Sequence, residues 1–367
     1  TNQIELNTST VTNHLMPLPP LPEQHRIVAR IDQLMARCDA VEKLRKEREE
    51  KRLAVHAAAI KQLLEPTLRA VAPSHEEKPF FASSRLRVQN FLFSHFGELY
   101  TVKENVAELR KAILQLAVMG RLVEQDPNDP PASELLKEIK KERASREGAR
   151  TRRKGKELPP IKPEEVPYEL PQGWEWVRLG NICSYIQRGK GPKYVEFSTH
   201  RVISQKCVRW YGLDLEPARY IDPASLEKYE RIRFLRVGDL LWNSTGTGTI
   251  GRACLVPQEF EDTEIVADSH VTVVRPIKVS PVFLWRWIQS PTVQNEIEGS
   301  ASGTTNQIEL NTSTVTNHLM PLPPLPEQHR IVARIDQLMA LCDRLDQQID
   351  AATSKQTELL NAVMSAV

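Results

Sequence analysis

A chain of 367 residues can bury one sizeable core and commonly two, and with 40% hydrophobic and 26% charged residues it has an ordinary globular composition. A formal net charge of +2 is too small to announce a nucleic-acid binder by itself, so any basic face must be local. The five cysteines (Cys38, Cys183, Cys207, Cys254, Cys342) form no CxxC pair, no apolar run is long enough to span a bilayer, and the start is not signal-like. A disulfide framework, a metal site and a membrane span are therefore not expected, and a reducing cytoplasm fits.

The chain opens on a copy of a later segment. Residues 1–36 (TNQIELNTSTVTNHLMPLPPLPEQHRIVARIDQLMA) recur without a mismatch at 305–340, and Cys38 and Asp39 match Cys342 and Asp343 before the copies diverge. A solenoid would show shorter, more divergent periods. Two copies flanking a long unrelated stretch instead predict a protein made of two similar halves.

Each copy runs into a predicted helix. In the second, Ile331, Ile335, Leu338, Cys342, Leu345, Ile349, Ala352, Gln356, Leu359 and Val363 alternate steps of four and three, the spacing of a coiled-coil seam. PLPPLPEQ is a stiff proline lead-in, which sets a helix start near Pro326 or Glu327. In the first, Ile27, Ile31, Leu34, Cys38 and Val41 keep the seam, and Glu42 with Lys46 and Glu47 with Lys51 follow at i,i+4 spacing. Pro66 ends that helix after about 40 residues, or about 60 Å. The matched pair predicts an antiparallel spacer within the chain; a plain dimerising coiled coil is the alternative.

A connector over 67–166 follows. It holds an amphipathic helix around 104–119, with Val106, Leu109, Ile113, Leu116 and Ala117 on one face and Gly120 as its stop. Then comes a basic, low-complexity linker at 137–156, read either as a solvated tail or as a phosphate contact, and a proline-rich run. Residues 167–323 read as a mixed α/β domain of many short strands. WEWVRLGNI, RFLRVGDLLWN, ACLVP and HVTVVRP have β-rich, partly alternating patterns, and PVFLWRWIQSPTVQNEIE is a helix interrupted near Pro291.

Within that domain Arg188, Lys190, Lys193, Arg201, Lys206 and Arg209 face only Glu196 over 188–209. Polar runs stand at 204–206 (SQK), 243–249 (NSTGTGT), 268–270 (DSH) and 300–307 (SASGTTNQ). These side-chain types hold phosphates or read base edges, although each run alone also reads as a surface turn. The candidate DNA-binding residues are Arg188, Lys190, Lys193, Lys206, Arg209, Asn243, Thr245, Ser269, His270 and Thr305. The basic members are expected on phosphates and the amide and hydroxyl members nearer the bases.

Catalytic motifs fail on context. Gly246, Gly248 and Gly251 spell GxGxxG, but a strand rather than a helix follows, without a Rossmann unit. Asp129-Pro130-Pro131 resembles the DPPY signature of amino-methyltransferases, yet Ala132 stands where the base-stacking aromatic belongs. No Walker A, HExxH or GxSxG sequence occurs.

LRKAILQLAVMGRLVEQDPNDPPASELLKEI, ELPPIKPEEVPYELPQGWEWVRLGNI, GDLLWNSTGTGTIGRACLV, IVADSHVTVVRP, SGTTNQIELNTSTV and PLPPLPEQHRIVARIDQLM, in this order, resemble the specificity subunits of Type I restriction-modification systems. The resemblance covers nearly the whole chain. It implies an α+β fold, in which a mixed α/β target-recognition domain (167–323) is flanked by two long helices (23–66 and 324–367) forming an antiparallel coiled-coil spacer. That spacer would use Ile27, Ile31, Leu34 and Cys38 with Ile331, Ile335, Leu338 and Cys342. Residues 1–22 would be the tail of a first recognition domain that the chain lacks. The implied role is non-catalytic recognition of double-stranded DNA, scaffolding Type I methyltransferase subunits that methylate adenine N6 and motor-nuclease restriction subunits. S-adenosylmethionine would sit on the methyltransferase and no cofactor on this chain, and self-association of the partial subunit is a further partner reading. A stand-alone DNA-binding regulator, dimerised by its coiled coil, is the competing class.

Overall fold

The structure, a computed structural model, describes residues 12, 15–64, 87–148, 158–246, 248–261, 263–301 and 310–366. Two compact units divide it, residues 1–56 and 57–367.

The first unit is dominated by helix α1 (Leu21–Leu64), whose last residues belong to the second. No proline or glycine interrupts it after Pro22, so its backbone ladder runs unbroken. The start is held locally: the Gln24 side chain donates to the Pro19 carbonyl at 2.8 Å, and the Glu23 and Gln24 amides donate to the Pro20 carbonyl at 2.8 and 3.1 Å. These bonds satisfy carbonyl and amide groups that a helix terminus otherwise leaves to water. Ile27, Ile31, Leu34, Cys38 and Val41 are all exposed along it.

The second unit begins its core with α2 (Lys103–Val118) and α3 (Ala132–Gly148). Val106, Ile113, Ala117 and Val118 line the buried face of α2, the face expected from their spacing. Gly120 ends the helix at φ +66°, where an added Cβ would lie 2.4 Å from Pro171. The basic stretch expected as a linker is helical up to Gly148, while 149–157 lies outside the described residues. Its charges mask an apolar stripe. Ala132, Leu135 and Ile139 are buried at helical spacing, and Arg143 donates to the Gly180 carbonyl at 2.7 Å.

The strands are β1 (Glu175–Arg178), β2 (Cys183–Arg188), β3 (Arg201–Ile203), β4 (Val208–Arg209), β5 (Gly212–Leu213), β6 (Arg219–Tyr220), β7 (Leu240–Asn243), β8 (Ala253–Leu255), β9 (Val266–Ala267) and β10 (Val271–Pro276). The central sheet is antiparallel in the order β2-β10-β7-β8, a second sheet runs β6-β3-β9 with β3 and β9 parallel, and β4 and β5 form a small hairpin. Helices α4 (Pro281–Ile288), α5 (Pro291–Ala301) and α6 (Thr312–Asn317) follow, then β11 (Leu319–Leu322) and α7 (Leu325–Ala366). β11 pairs antiparallel with β1. The proline lead-in therefore contains a strand before its helix, invisible to a pattern search because two of its neighbours are prolines.

One hydrophobic core runs from Val106, Ile113 and Ile139 through Trp174, Trp242, Val274 and Trp287 to Ile331, Ile335 and Cys342. Packing thus crosses the boundaries drawn from composition at 166/167 and 323/324. A second cluster (Tyr185, Ile203, Leu241, Cys254, Val273) lies on the opposite face of the central sheet. Leu240 and Trp242 point to the first core and Leu241 to the second, so β7 is buried on both faces, which explains its continuous apolar reading. At 1% exposure Asp239 accepts two 2.7 Å hydrogen bonds from the Arg275 guanidinium, which also donates to the Ile232 and Phe234 carbonyls.

α7 packs on α2 and α4. Arg110 bonds Asp343 and Asp346 at 2.8 Å each, Arg286 bonds Asp336 at 2.7 Å, and Arg330 bonds Asp129 at 2.6 Å. Asp129 of the DPP run therefore anchors a helix. The α7 seam Ile331, Ile335 and Cys342 is buried in this packing, with Leu338 at its edge. Within the second unit α2 and α4 fill this face of α7.

Candidate nucleic-acid interface

Arg188 closes β2 opposite Thr272, and Asn243 closes β7 opposite Val271, the first residue of β10. Antiparallel order thus gathers the loops after β2, after β7 and before β10 at one end of the central sheet. The close approach is tight at Gly189, where a Cβ would sit 2.1 Å from the Ala267 carbonyl oxygen and 2.2 Å from that of Asp268. Only glycine lets the two backbones meet this way. The Gly189 amide donates to Val271 at 2.9 Å and the Lys190 amide to Ala267 at 3.1 Å.

Around this junction the predicted residues separate into two groups. Lys190, Lys206, Ser269 and His270 are exposed at the loop tips. Thr245 Oγ1 and His270 Nδ1 share a hydrogen bond of 2.7 Å, and the Ser244 amide donates to the His270 carbonyl at 2.9 Å. Lys190 lies over the Tyr229 ring, 5.7 Å from its centre. Lys193 and Arg209 instead carry acidic partners, Asp222 at 3.2 Å and Asp214 at 3.4 Å. Arg188 is half-buried, with the Arg233 guanidinium donating to its carbonyl at 3.3 Å. Thr305 lies outside the described residues.

Asn243 is a correction. It is fully buried, not presented at the surface, because it ends a strand covered on both faces. Its Nδ2 donates to the Gln205 carbonyl at 3.0 Å, and Thr249 Oγ1 donates to Gln205 Oε1 at 3.4 Å. The side chain therefore holds the 204–207 turn, with Lys206 on it, against the β7–β8 loop. In that loop Gly246, Gly248 and Gly251 all have positive φ; the GxGxxG run is a hairpin connection. Sequence patterning does not single out Gln205 or Gly189: the first lies inside the SQK run, and the second carries no signal until a backbone crosses it.

Asp268 sits at the base of the cluster at 5% exposure and accepts from the His270 amide at 2.9 Å. Burial pushes its carboxyl above the usual range, and that amide partly opposes the shift. The arrangement presents two exposed ammonium groups, hydroxyls and an imidazole over a floor of paired groups. Such a surface can hold phosphates and offer donors and acceptors to base edges. A separate cleft of about 460 Å³ is lined by Tyr168, Trp176, Arg178, Trp287, Glu296 and His318. Its polar side chains are paired internally, Arg178 with Glu165 at 3.0 Å and His318 Nδ1 with Glu296 at 3.4 Å. Among the described residues no cluster of His, Cys, Asp or Glu could hold a metal ion, and no helix is long and apolar enough to cross a membrane.

Residues 171–353 match the Type I restriction modification DNA specificity domain, the class into which this sheet, its loop cluster and its closing helix fall. The chain belongs to the family of Type I restriction-modification specificity subunits. It is 33% identical to the Type I restriction enzyme EcoAI specificity subunit of Escherichia coli over 96% of this chain and 58% of that protein. It is 29% identical to the EcoEI specificity subunit of the same organism over the same shares. The chain thus spans less than two thirds of the length of these relatives. A solved HsdS subunit from Thermoanaerobacter tengcongensis aligns over 86% of this chain and 68% of its own, at 18% identity and a TM-score of 0.38.

Proposed function

We propose that this chain reads DNA sequence for a Type I restriction-modification complex, and that the loop end of its central sheet is the reading surface. The observation that carries this is the convergence of Lys190, Lys206, Thr245, Ser269 and His270 on loops that are hydrogen-bonded to one another, in a chain of the specificity family. Lys190 and Lys206 hold phosphates, while Thr245, Ser269 and His270 lie nearer the bases. Lys193 and Arg209 contribute field but less contact, because each must first leave its carboxylate. Asn243 acts through the turn it holds.

In this reading the chain is a non-catalytic scaffold. Adenine-N6 methyltransferase subunits bring S-adenosylmethionine, motor-nuclease subunits complete the restriction enzyme, and the assembly works in the cytoplasm. The two long helices serve as rods that set the distance between half-sites, as dimer geometry does for other DNA readers.

The test is DNA binding by the complex reassembled with its methyltransferase subunit, measured across salt. Lys190→Ala and Lys206→Ala should each weaken binding to all sequences alike and shallow the log–log salt slope by about 0.9 per lost phosphate contact. Ser269→Ala or His270→Ala should relax discrimination by roughly 1–3 kcal/mol at one base position. Unchanged affinity in the Lys190→Ala/Lys206→Ala pair would show that this end of the sheet is not the DNA surface.

A further inference from the structure

The β4–β5 hairpin turns on two residues, Trp210 and Tyr211, which stand 42% and 78% exposed. Two-residue hairpin turns ordinarily take asparagine, aspartate or glycine, because the favoured turn types need positive φ at the tip. Here the positive φ falls on Gly212, at +144°, and neither tip residue has one. The turn is thereby free to carry two large aromatic side chains in water, where covering their apolar surface is favourable.

The hairpin holds them stiffly. The Asp214 amide donates to the Cys207 carbonyl at 2.8 Å, and Cys207 and Val208 are fully buried in the second core cluster. Gln289 Nε2, at the end of α4, donates to the Trp210 carbonyl at 3.2 Å. The tip stands at the loop end of the central sheet. The turn that carries Lys206, bonded to Asn243, leads straight into β4. Gln294, just beyond Gln289, donates to the Gly251 carbonyl in the β7–β8 loop at 3.3 Å. Five residues of chain separate Tyr211 from Lys206, so the two lie at most about 18 Å apart. Arg209 precedes the tip, and Arg252 donates to the Gly248 carbonyl of the β7–β8 loop at 3.2 Å.

We propose, resting on the reading of this loop end as the DNA surface, that Tyr211, backed by Trp210, is a wedge that enters the base stack beside the phosphates at Lys206 and opens one base step. An aromatic ring stacks on any base, so the wedge has no base preference of its own. Opening a step costs least at flexible pyrimidine–purine steps. The complex therefore selects such a step where Tyr211 enters, without a hydrogen bond to either base. Stacking on the ring offsets what the opened step loses, and inserted side chains of this kind kink the duplex. A duplex suits the tip better than a protein surface because Lys206, Arg209 and Arg252 lie on the same hairpin and the adjoining loop.

The complex reassembled with its methyltransferase subunit selects duplexes from a random-sequence pool, and permanganate then marks unstacked pyrimidines, which every base pair carries on one strand. The parent should show a hyperreactive pyrimidine–purine step. Tyr211→Ala should lose that reactivity and bind the selected duplex about tenfold more weakly. Its binding to the unselected pool, which phosphates govern, should stay parental. Tyr211→Phe keeps the ring and should match the parent in every respect. Reactivity opposite an adenine turned out for methylation is a separate signal and should survive Tyr211→Ala. Equal reactivity and affinity in Tyr211→Ala and the parent overturn the wedge; where Lys190→Ala/Lys206→Ala has lost binding in the same assay, the reading surface itself stands. A Lys190→Ala/Lys206→Ala variant with full affinity overturns both. A Tyr211→Ala chain with a parental unfolding midpoint that no longer assembles with the methyltransferase makes the tip a protein contact, and overturns the wedge too.

Discussion

Ile31 and Ile335 occupy the same place in two identical stretches of helix, so substituting each by alanine separates packing from everything local. Ile335 is 0% exposed in the core shared with α2 and α4. Removing three carbons at about 0.8 kcal/mol each costs over 2 kcal/mol before the cavity is counted. With partial collapse Ile335→Ala should lose about 3 kcal/mol, inside the usual range of about 2–5. Ile31 is half-exposed, and its alanine variant gains a few tenths of a kcal/mol in helix propensity, so Ile31→Ala should lie within about 0.5 kcal/mol of the parent. All six tryptophans fall between 174 and 287, so fluorescence during urea unfolding reports the recognition domain alone. Equal losses in the two variants, or a loss below about 1 kcal/mol for Ile335→Ala, would refute the packing argument.

Three other outcomes follow from the geometry. Asp239→Ala strands the Arg275 guanidinium beside carbonyls that alone do not neutralise it, and should cost roughly 3–5 kcal/mol in urea unfolding; a loss under about 1 kcal/mol would mean water reaches the pair. Burial raises the Asp268 carboxyl, so its stabilising contribution is complete below the unfolded value of 3.8 and is lost as pH rises through the higher folded value. Asp268→Asn keeps an acceptor for the His270 amide, and should match the parent at about pH 3 and exceed it at about pH 7, as unfolding midpoints will tell. Gly189→Ala drives a methyl group into the Ala267 and Asp268 carbonyls; it should cost about 1–3 kcal/mol and weaken DNA binding, whereas a variant with parental stability and affinity would contradict the tight crossing.

The long helices, the amphipathic helix ended by Gly120, the break at Pro291 and strands β1, β7, β8 and β10 are legible from periodicity and punctuation alone, whereas β2 (CSYIQR) mixes polar and apolar residues and is not. Most other failures share a cause. α3 reads as a charged linker because only Ala132, Leu135 and Ile139 touch the core, too few to show above a run of lysine and arginine. The short strands β3, β4, β5, β6 and β9 have two or three residues each, too few for an alternation to register. At the candidate site composition picks out loops that the sheet brings to one end, but not which side chains face water. Asn243 and His270 both lie in polar runs, yet β7 is covered on both faces and buries Asn243, while His270 stands exposed on a turn before β10.

The duplicated segment shows where the division falls. The sequence PLPPLPEQHRIVARIDQLMA starts its helix at the same leucine and makes the same glutamine-to-proline bond in both copies, because every hydrogen bond involved lies within a few residues. The preceding Leu-Met-Pro-Leu is a strand at 319–322 and has no regular structure at 15–18. A strand's hydrogen bonds belong to another segment, and the second copy has β1 as that partner. Local bonding made the helix from sequence alone; the strand, the burial of Ile331 and Ile335, and the loop cluster at the end of the sheet had to wait for tertiary partners.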